Sequence, residues 1–386
     1  MNDLTCKRVQ RSDLECIDHP MRKRYLFFKA NHQHFFGTKS EKVDIAELFL
    51  RHLKFKGQAS RQFEPENLAH AMNNYRIVDE YGALEIAQSR AVMISSFHFG
   101  PYDLLGGFLS NERVQFSVLA NGAKYFEQVK AYQIQKAEAS DSEVIPIIIP
   151  ESDVVNPNDF TTMIKMMHKI RQGKSMLVYA DGLEGEGGYY DQSKLEKVPF
   201  LGQEVFARKG TATLAYKLKM PIVFSMVEQE DEGFIVRLFP VLHPKDYKDK
   251  KSFVRAYCEL GYKYLESYVQ KSPEYWEIFD RLHIWLPEFN TPSEVPDLQP
   301  DWVVPEWCCY DKDRFGIFKE GGKTFLLDIQ SKDVISVSAG LATLLQRIDH
   351  VRGEVVSEVL SPAILRDLFQ RGILTEDKVG EEIMVA

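Results

Sequence analysis

The sequence predicts an α/β protein: a mostly parallel central sheet flanked by helices, with a helical N-terminal lead and a small separate C-terminal domain. Three observations carry this reading. From residue 91 to about 286, short apolar runs alternate with segments of helical length. Residues 20–90 read mainly as helices, with Ile45, Leu48, Phe49 and Leu53 at helical spacing in DIAELFLRHLKFK. The stretch 287–305, PEFNTPSEVPDLQPDWVVP, places five prolines among acidic and polar residues, a linker composition. The expected division is 1–286 (lead 1–90, α/β core 91–286), linker 287–305 and a small domain at 306–386.

Within the core, the strand candidates in order are AVMISSF, VQFSVLA, VIPIIIP, SMLVYA and PIVFSMV, and GFIVRLFPVL adds one more after a glycine-marked turn. Between them lie PYDLLGGFLS, KYFEQVKAYQIQKA, FTTMIKMMHKIRQG and ARKGTATLAYKLK. SFVRAYCELGYKYLESYVQKS closes the unit as a long amphipathic helix. Beyond the linker, RFGIFKEGGKTFLLDI reads as a hairpin turning at Gly321–Gly322. Three short helices follow at about 338–349, 353–360 and 362–371.

A hydrophobic fraction of 44% with 27% charged residues is that of a soluble globular protein. The formal net charge of −8 argues against nucleic acid as the main partner. The five cysteines show no CxxC spacing, and the adjacent Cys308 and Cys309 are poorly placed for a disulfide, which fits a reducing compartment. No apolar run approaches the roughly 18–20 residues needed to cross a bilayer, and the N-terminus lacks a signal-peptide apolar core. These features suggest a cytoplasmic protein, at most peripheral on the inner membrane face.

The stretch SSFHFGPYDLLGG, residues 95–107, carries the candidate chemistry. His98 ends an apolar run, at the carboxyl end of a strand, where α/β sheets place their functional groups. Pro101 suits a first helical position, and Asp103 falls in the first turn, where the helix dipole favours a carboxylate. A carboxylate on one imidazole nitrogen fixes the tautomer and leaves the other nitrogen as a base. Such a base can deprotonate a hydroxyl or amine that attacks an acyl thioester. The plain alternative is a capped helix that happens to follow a histidine. Amides at the start of that helix are candidates for holding a developing oxyanion.

This H-x4-D spacing resembles the signature of the glycerolipid acyltransferase superfamily, most closely the late (lauroyl/myristoyl) acyltransferases of lipid A biosynthesis. The resemblance covers roughly residues 90–285. MIKMMHKIRQGKSMLVYADG is similar to the family's helix, turn and strand ending in an acidic block, which sets Asp181 and Gly182 there. VPFLGQEVFARKGTATLAYKLKMPIVFSMVE resembles the family's next block, and SPEYWEIFDRLHIW its closing P-x-x-W segment, with Arg281 near a basic position. The resemblance implies an acyltransferase that uses acyl-CoA or acyl carrier protein as co-substrate, with His98 and Asp103 catalytic and no metal or other cofactor. It implies substrate contacts at Asn121, Asp181, Gly182, Arg208, Gly210 and Arg281. Arg208 and Lys209 could contact a phosphopantetheine or CoA phosphate, or form a solvated helix start. The chain departs from glycerol-phosphate enzymes after Asp181–Gly182, where Leu183 and Glu184 replace an expected arginine clamp. That change disfavours a phosphorylated acceptor.

Residues 307–378 resemble the small winged-helix-like peptide-binding domain known from pyrroloquinoline quinone biosynthesis, through the hairpin, SAGLATLLQRID, GEVVSEVL and PAILRDLFQRGILTE. That likeness implies capture of a peptide or a carrier-bound acceptor by strand addition. The alternative is an appendage that only packs. Two further readings stand beside acyl transfer: a thioesterase-like hydrolase of acyl thioesters, and a non-catalytic carrier- or peptide-binding protein.

Overall fold

In a computed structural model, the described residues are 9–59, 62, 65–120, 151–182, 191–231, 233–289 and 295–377. They form two compact units, Met1–Leu50 with Glu288–Ala386, and Arg51–Pro287. The sequence places residues 1–50, as part of a helical lead, in one domain with the α/β core. The structure groups them with the C-terminal residues, because the helix Arg22–Phe36 finds its apolar partners there.

Among the described residues, the larger unit has nine strands: β1 (Tyr75–Asp79), β2 (Met93–Ser96), β3 (Phe116–Leu119), β4 (Val154–Val155), β5 (Ser175–Tyr179), β6 (Leu195–Phe200), β7 (Gln203–Arg208), β8 (Ile222–Gln229) and β9 (Phe234–Leu238). Seven of them form one sheet in the order β1-β9-β8-β2-β5-β3-β4. All its pairings are parallel except β8 with β9. This is the mostly parallel, helix-flanked sheet that the alternation of apolar runs predicts. β2 is buried at every position, as a central parallel strand covered on both faces must be.

One segment differs from the sequence reading. YRIVD, read within a helical lead, is the edge strand β1, paired residue for residue with β9 from Tyr75↔Phe234 to Asp79↔Leu238. Its β-branched Ile77 and Val78 favour a pleated surface, and the tertiary pairing overrides the helical flanks. VPFLGQEVFAR is the hairpin β6–β7, turning at Leu201 and Gly202, both at positive φ. VIPIIIP and KYFEQVKAYQIQKA lie outside the described residues. The helix Lys250–Val269 begins with an Asp249–Ser252 capping box and buries Tyr257, Cys258, Tyr262 and Leu265.

The smaller unit carries β10 (Trp307–Tyr310), β11 (Phe315–Glu320), β12 (Lys323–Asp328), β13 (Val334–Val337), β14 (Val351–Arg352) and β15 (Leu374–Glu376). They form two three-stranded sheets, β14-β10-β15 and β11-β12-β13. β11 and β12 turn through Gly321 and Gly322, both at positive φ, as a two-residue hairpin requires. Leu26, Phe27 and Ala30 of the N-terminal helix share a core with Phe318, Leu327 and Ile329. No helix among the described residues is long and apolar enough to cross a membrane.

Candidate active site

The parallel register of β2 and β5 assembles the site. Ser96 pairs with Tyr179, and the Ala180 N–H donates to the Ser96 carbonyl at 2.8 Å. Two residues further along each chain, His98 and Asp181 therefore stand side by side at the carboxyl edge of the sheet. His98 Nδ1 lies 2.8 Å from Asp181 Oδ1. The His98 backbone N–H also points at both carboxylate oxygens, at 3.2 and 3.1 Å. Asp181 is fully buried, and the Trp276 indole N–H donates to its Oδ2 at 2.6 Å. With the carboxylate on Nδ1, the proton belongs on that nitrogen and Nε2 is left as the acceptor.

The loop that carries His98 is held from a second side. Phe99 and Trp276 form an antiparallel bridge. The Gly100 N–H donates to the Tyr275 carbonyl at 3.0 Å, and the Glu277 N–H to the His98 carbonyl at 2.8 Å. The rings of Tyr179 and Tyr102 lie 4.7 and 4.8 Å from the imidazole. Tyr102 donates its hydroxyl to Glu277, and Lys56 Nζ lies 3.8 Å from the same carboxylate.

The sequence pointed to Asp103 as the carboxylate on the imidazole, but the structure puts Asp181 there. Asp103 sits in the 3-10 turn Tyr102–Leu104, and no hydrogen bond joins it to the ring among the described residues. It acts on His98 through its charge. Of the turn amides, Gly100 N–H donates to the Tyr275 carbonyl, Tyr102 N–H to the Gly100 carbonyl and Leu104 N–H to that of Pro101.

The charges pull on one another. Burial drives the His98 pKa down, but Asp181 by charge and hydrogen bond, then Glu277 and Asp103 by charge, raise it above the ordinary imidazole value. Burial and the Glu277 charge push the Asp103 carboxyl up to about 7, against the pull of His98. Burial also pushes Glu277 up, but Lys56, His98 and the Tyr102 hydroxyl outweigh it and leave that carboxyl below its usual value.

The other expected site residues are dispersed. Gly182 passes the ring closely: a Cβ there would stand 3.9 Å from His98 Cε1. Arg208 ends β7 and lines a small cavity with Phe97, Ala180, Tyr257 and Tyr262, its guanidinium 5.5 Å from the Trp285 ring. Gly210 opens the helix Gly210–Leu218 and faces open space, so nothing there requires a glycine. Arg281 lies 3.9 Å from the buried Asp280. Asn121 lies outside the described residues. Sequence reasoning missed Tyr102, Glu277 and Lys56, and it missed Asp181 as the partner of His98. Asp181 ends SMLVYAD as His98 ends AVMISSFH, and that parallel was the available signal.

The model of the family described as bacterial lipid A biosynthesis acyltransferase matches residues 60–283, more than half of the chain. The chain belongs to that family. It is therefore an acyltransferase of lipid biosynthesis, and the matched span includes His98, Asp103, Asp181 and Trp276. Among solved structures, the chain is similar to the 1-acyl-sn-glycerophosphate (LPA) acyltransferase PlsC from Thermotoga maritima. The identity is 12%, over 68% of this chain and 98% of that one, with a TM-score of 0.32. No curated protein matches.

Proposed function

We propose that this acyltransferase moves a fatty acyl group from an acyl-CoA or acyl carrier protein thioester to a hydroxyl or amine, with His98 as general base. The observation that carries the reading is the 2.8 Å contact of His98 Nδ1 with buried Asp181, which leaves Nε2 to face the acceptor. Nε2 takes the proton of the acceptor O–H or N–H as that atom bonds to the thioester carbonyl carbon. The tetrahedral intermediate then expels the thiolate, and the imidazolium returns the proton to sulfur. The Asp181 carboxylate orients the ring and stabilises the imidazolium, and the charge of Asp103 adds to that stabilisation. No metal or redox step is needed in this sequence of events.

Acceptor dependence separates this reading from hydrolysis. Incubation with mixed-length acyl-CoA or acyl carrier donors, read by mass shift on candidate acceptors, tests it. Release of free acid at the same rate with and without acceptor would replace transfer by thioesterase chemistry. A second reading concerns the smaller unit, where β13 is one of the two outer strands of its sheet and Val334 on it is exposed. Such an edge can take an added peptide strand, which supports a peptide or carrier-bound acceptor. The family and the absence of a spanning helix among the described residues fit an enzyme that is at most peripheral on the inner membrane face.

A further inference from the structure

The geometry points to Trp276 as a positioning residue for this site: its indole N–H pins Oδ2 of Asp181 so that Oδ1 meets His98 Nδ1. The role rests on the reading of His98 as the base. An aspartate carboxylate turns through a broad torsional well, so one contact does not fix its plane. Here Oδ1 is engaged by the ring at 2.8 Å and Oδ2 by the indole at 2.6 Å, while the His98 backbone N–H lies at a longer 3.2 and 3.1 Å from the two oxygens, straddling them without favouring either. An indole N–H only donates and does not titrate near neutral pH, so its hold persists whatever the charge on His98.

Trp276 is itself immobilised. It is fully buried, with its ring centroid 5.4 Å from that of Phe200 and 6.4 Å from that of Phe279. Its neighbours grip the other partner: the Tyr275 carbonyl accepts from Gly100 N–H, and the Glu277 N–H donates to the His98 carbonyl. One three-residue segment thus holds the backbone of His98 and the side chain of Asp181 together. The groups facing the imidazole from each element are Asp181 and Tyr179 after and within β5, Tyr102 and Asp103 in the turn, and Glu277, backed by Lys56 and Arg281.

The test uses the full chain. Trp276→Phe keeps an aromatic ring and removes the N–H. The expected result is a fall in kcat of roughly tenfold to a hundredfold with KM nearly unchanged, the scale of a misplaced catalytic group. NMR of 15N-histidine-labelled protein should show His98 titrating at lower pH, because burial is then opposed by a less well aimed carboxylate. Placed on an Asp181→Asn background, Trp276→Phe should add little further loss, since both act through one contact. Additive losses, or an unmoved His98 titration in a folded variant, would overturn the proposal.

If Trp276→Phe does not fold, the unaltered protein decides. The Trp276 indole proton should resonate far downfield and move as His98 titrates. An indole signal indifferent to that titration counts against the role. An active His98→Ala enzyme would instead remove the base on which the role rests, and that outcome is distinct from all of these.

Discussion

At Gly100 the backbone has φ +61°, and a Cβ would stand 2.5 Å from the Val227 carbonyl oxygen. The glycine of HFG is therefore required by the fold two residues from the imidazole. Gly100→Ala should cost on the order of 1–3 kcal/mol through backbone strain alone, measurable as a lowered urea midpoint, and should displace His98. His98→Ala should leave the fold intact and lower acyl transfer about a hundredfold or more; activity within a few-fold of the parent would sink the mechanism. Between the carboxylates, Asp181→Asn should damage kcat more than Asp103→Asn, because only Asp181 touches the ring. The pH dependence has a defined sign. A base must be neutral to act, and His98 titrates above the ordinary imidazole value, so the acid limb of kcat/KM should lie correspondingly high. Asp103→Asn removes one of the charges that raise it and should move that limb to lower pH. An unmoved limb would mean that Asp103 does not act on the ring. His98 and its place at a strand end were legible in SSFHFGPYD. Its partner was not, since Asp103 is near in sequence and Asp181 is near only once the strand register is known.

At the scale of elements, the site depends on two neighbouring strands and one irregular segment. The apolar runs of β2 and β5 are visible in the sequence, but strands buried on both faces read as continuous apolar runs, with no alternation to mark their order or register. YRIVD passed as part of a helical lead. It becomes β1 only because β9 offers an open edge at matching register. The segment after Pro273 shows the converse. SPEYWEIFDR carries four charged residues, yet Glu274 and Asp280 are buried. Lys56, on the helix Ile45–Ala59, donates to the Glu277 carbonyl at 2.8 Å and lies 4.0 Å from Asp280 Oδ1. Removing the only partner cation of a buried acid costs about 3–5 kcal/mol. Because Lys56 is about one-fifth exposed and Arg281 also approaches Asp280, Lys56→Met should cost less, about 2 kcal/mol. The same change should raise the Glu277 pKa, since Lys56 is the first charge holding it down. Chemical denaturation at neutral pH checks the first effect; a loss near zero would show that the cluster is solvated in place.

For the whole molecule, the fate of the N-terminal lead was not legible in the sequence. Composition does not say which distant surface a helix will cover. Gly316 on β11 shows how specific that cover is, since a Cβ there would stand 2.4 Å from Leu26 Cδ2. Leu26, Phe27 and Ala30 are buried against Phe318, Leu327 and Ile329. Two truncations therefore separate the roles of the two units. A chain of residues 1–287 keeps the helix Arg22–Phe36 and loses its partners, and leaving Leu26 and Phe27 exposed forfeits about 1.5–3 kcal/mol each. That fragment should bind more hydrophobic dye and aggregate more readily than the full chain. A chain of residues 45–287 omits that helix, so Phe49 on the helix Ile45–Ala59 loses the rings of Tyr25 and Phe28, and it retains β1 to β9 with His98, Asp181 and Trp276. It should still consume acyl thioester with a small artificial nucleophile. If the smaller unit captures the acceptor, the KM for that acceptor should rise in this fragment while the small-nucleophile reaction persists. Unchanged acceptor kinetics in a stable 45–287 fragment would remove any acceptor-binding role from the smaller unit, and loss of both reactions together would make that unit a structural requirement of the sheet.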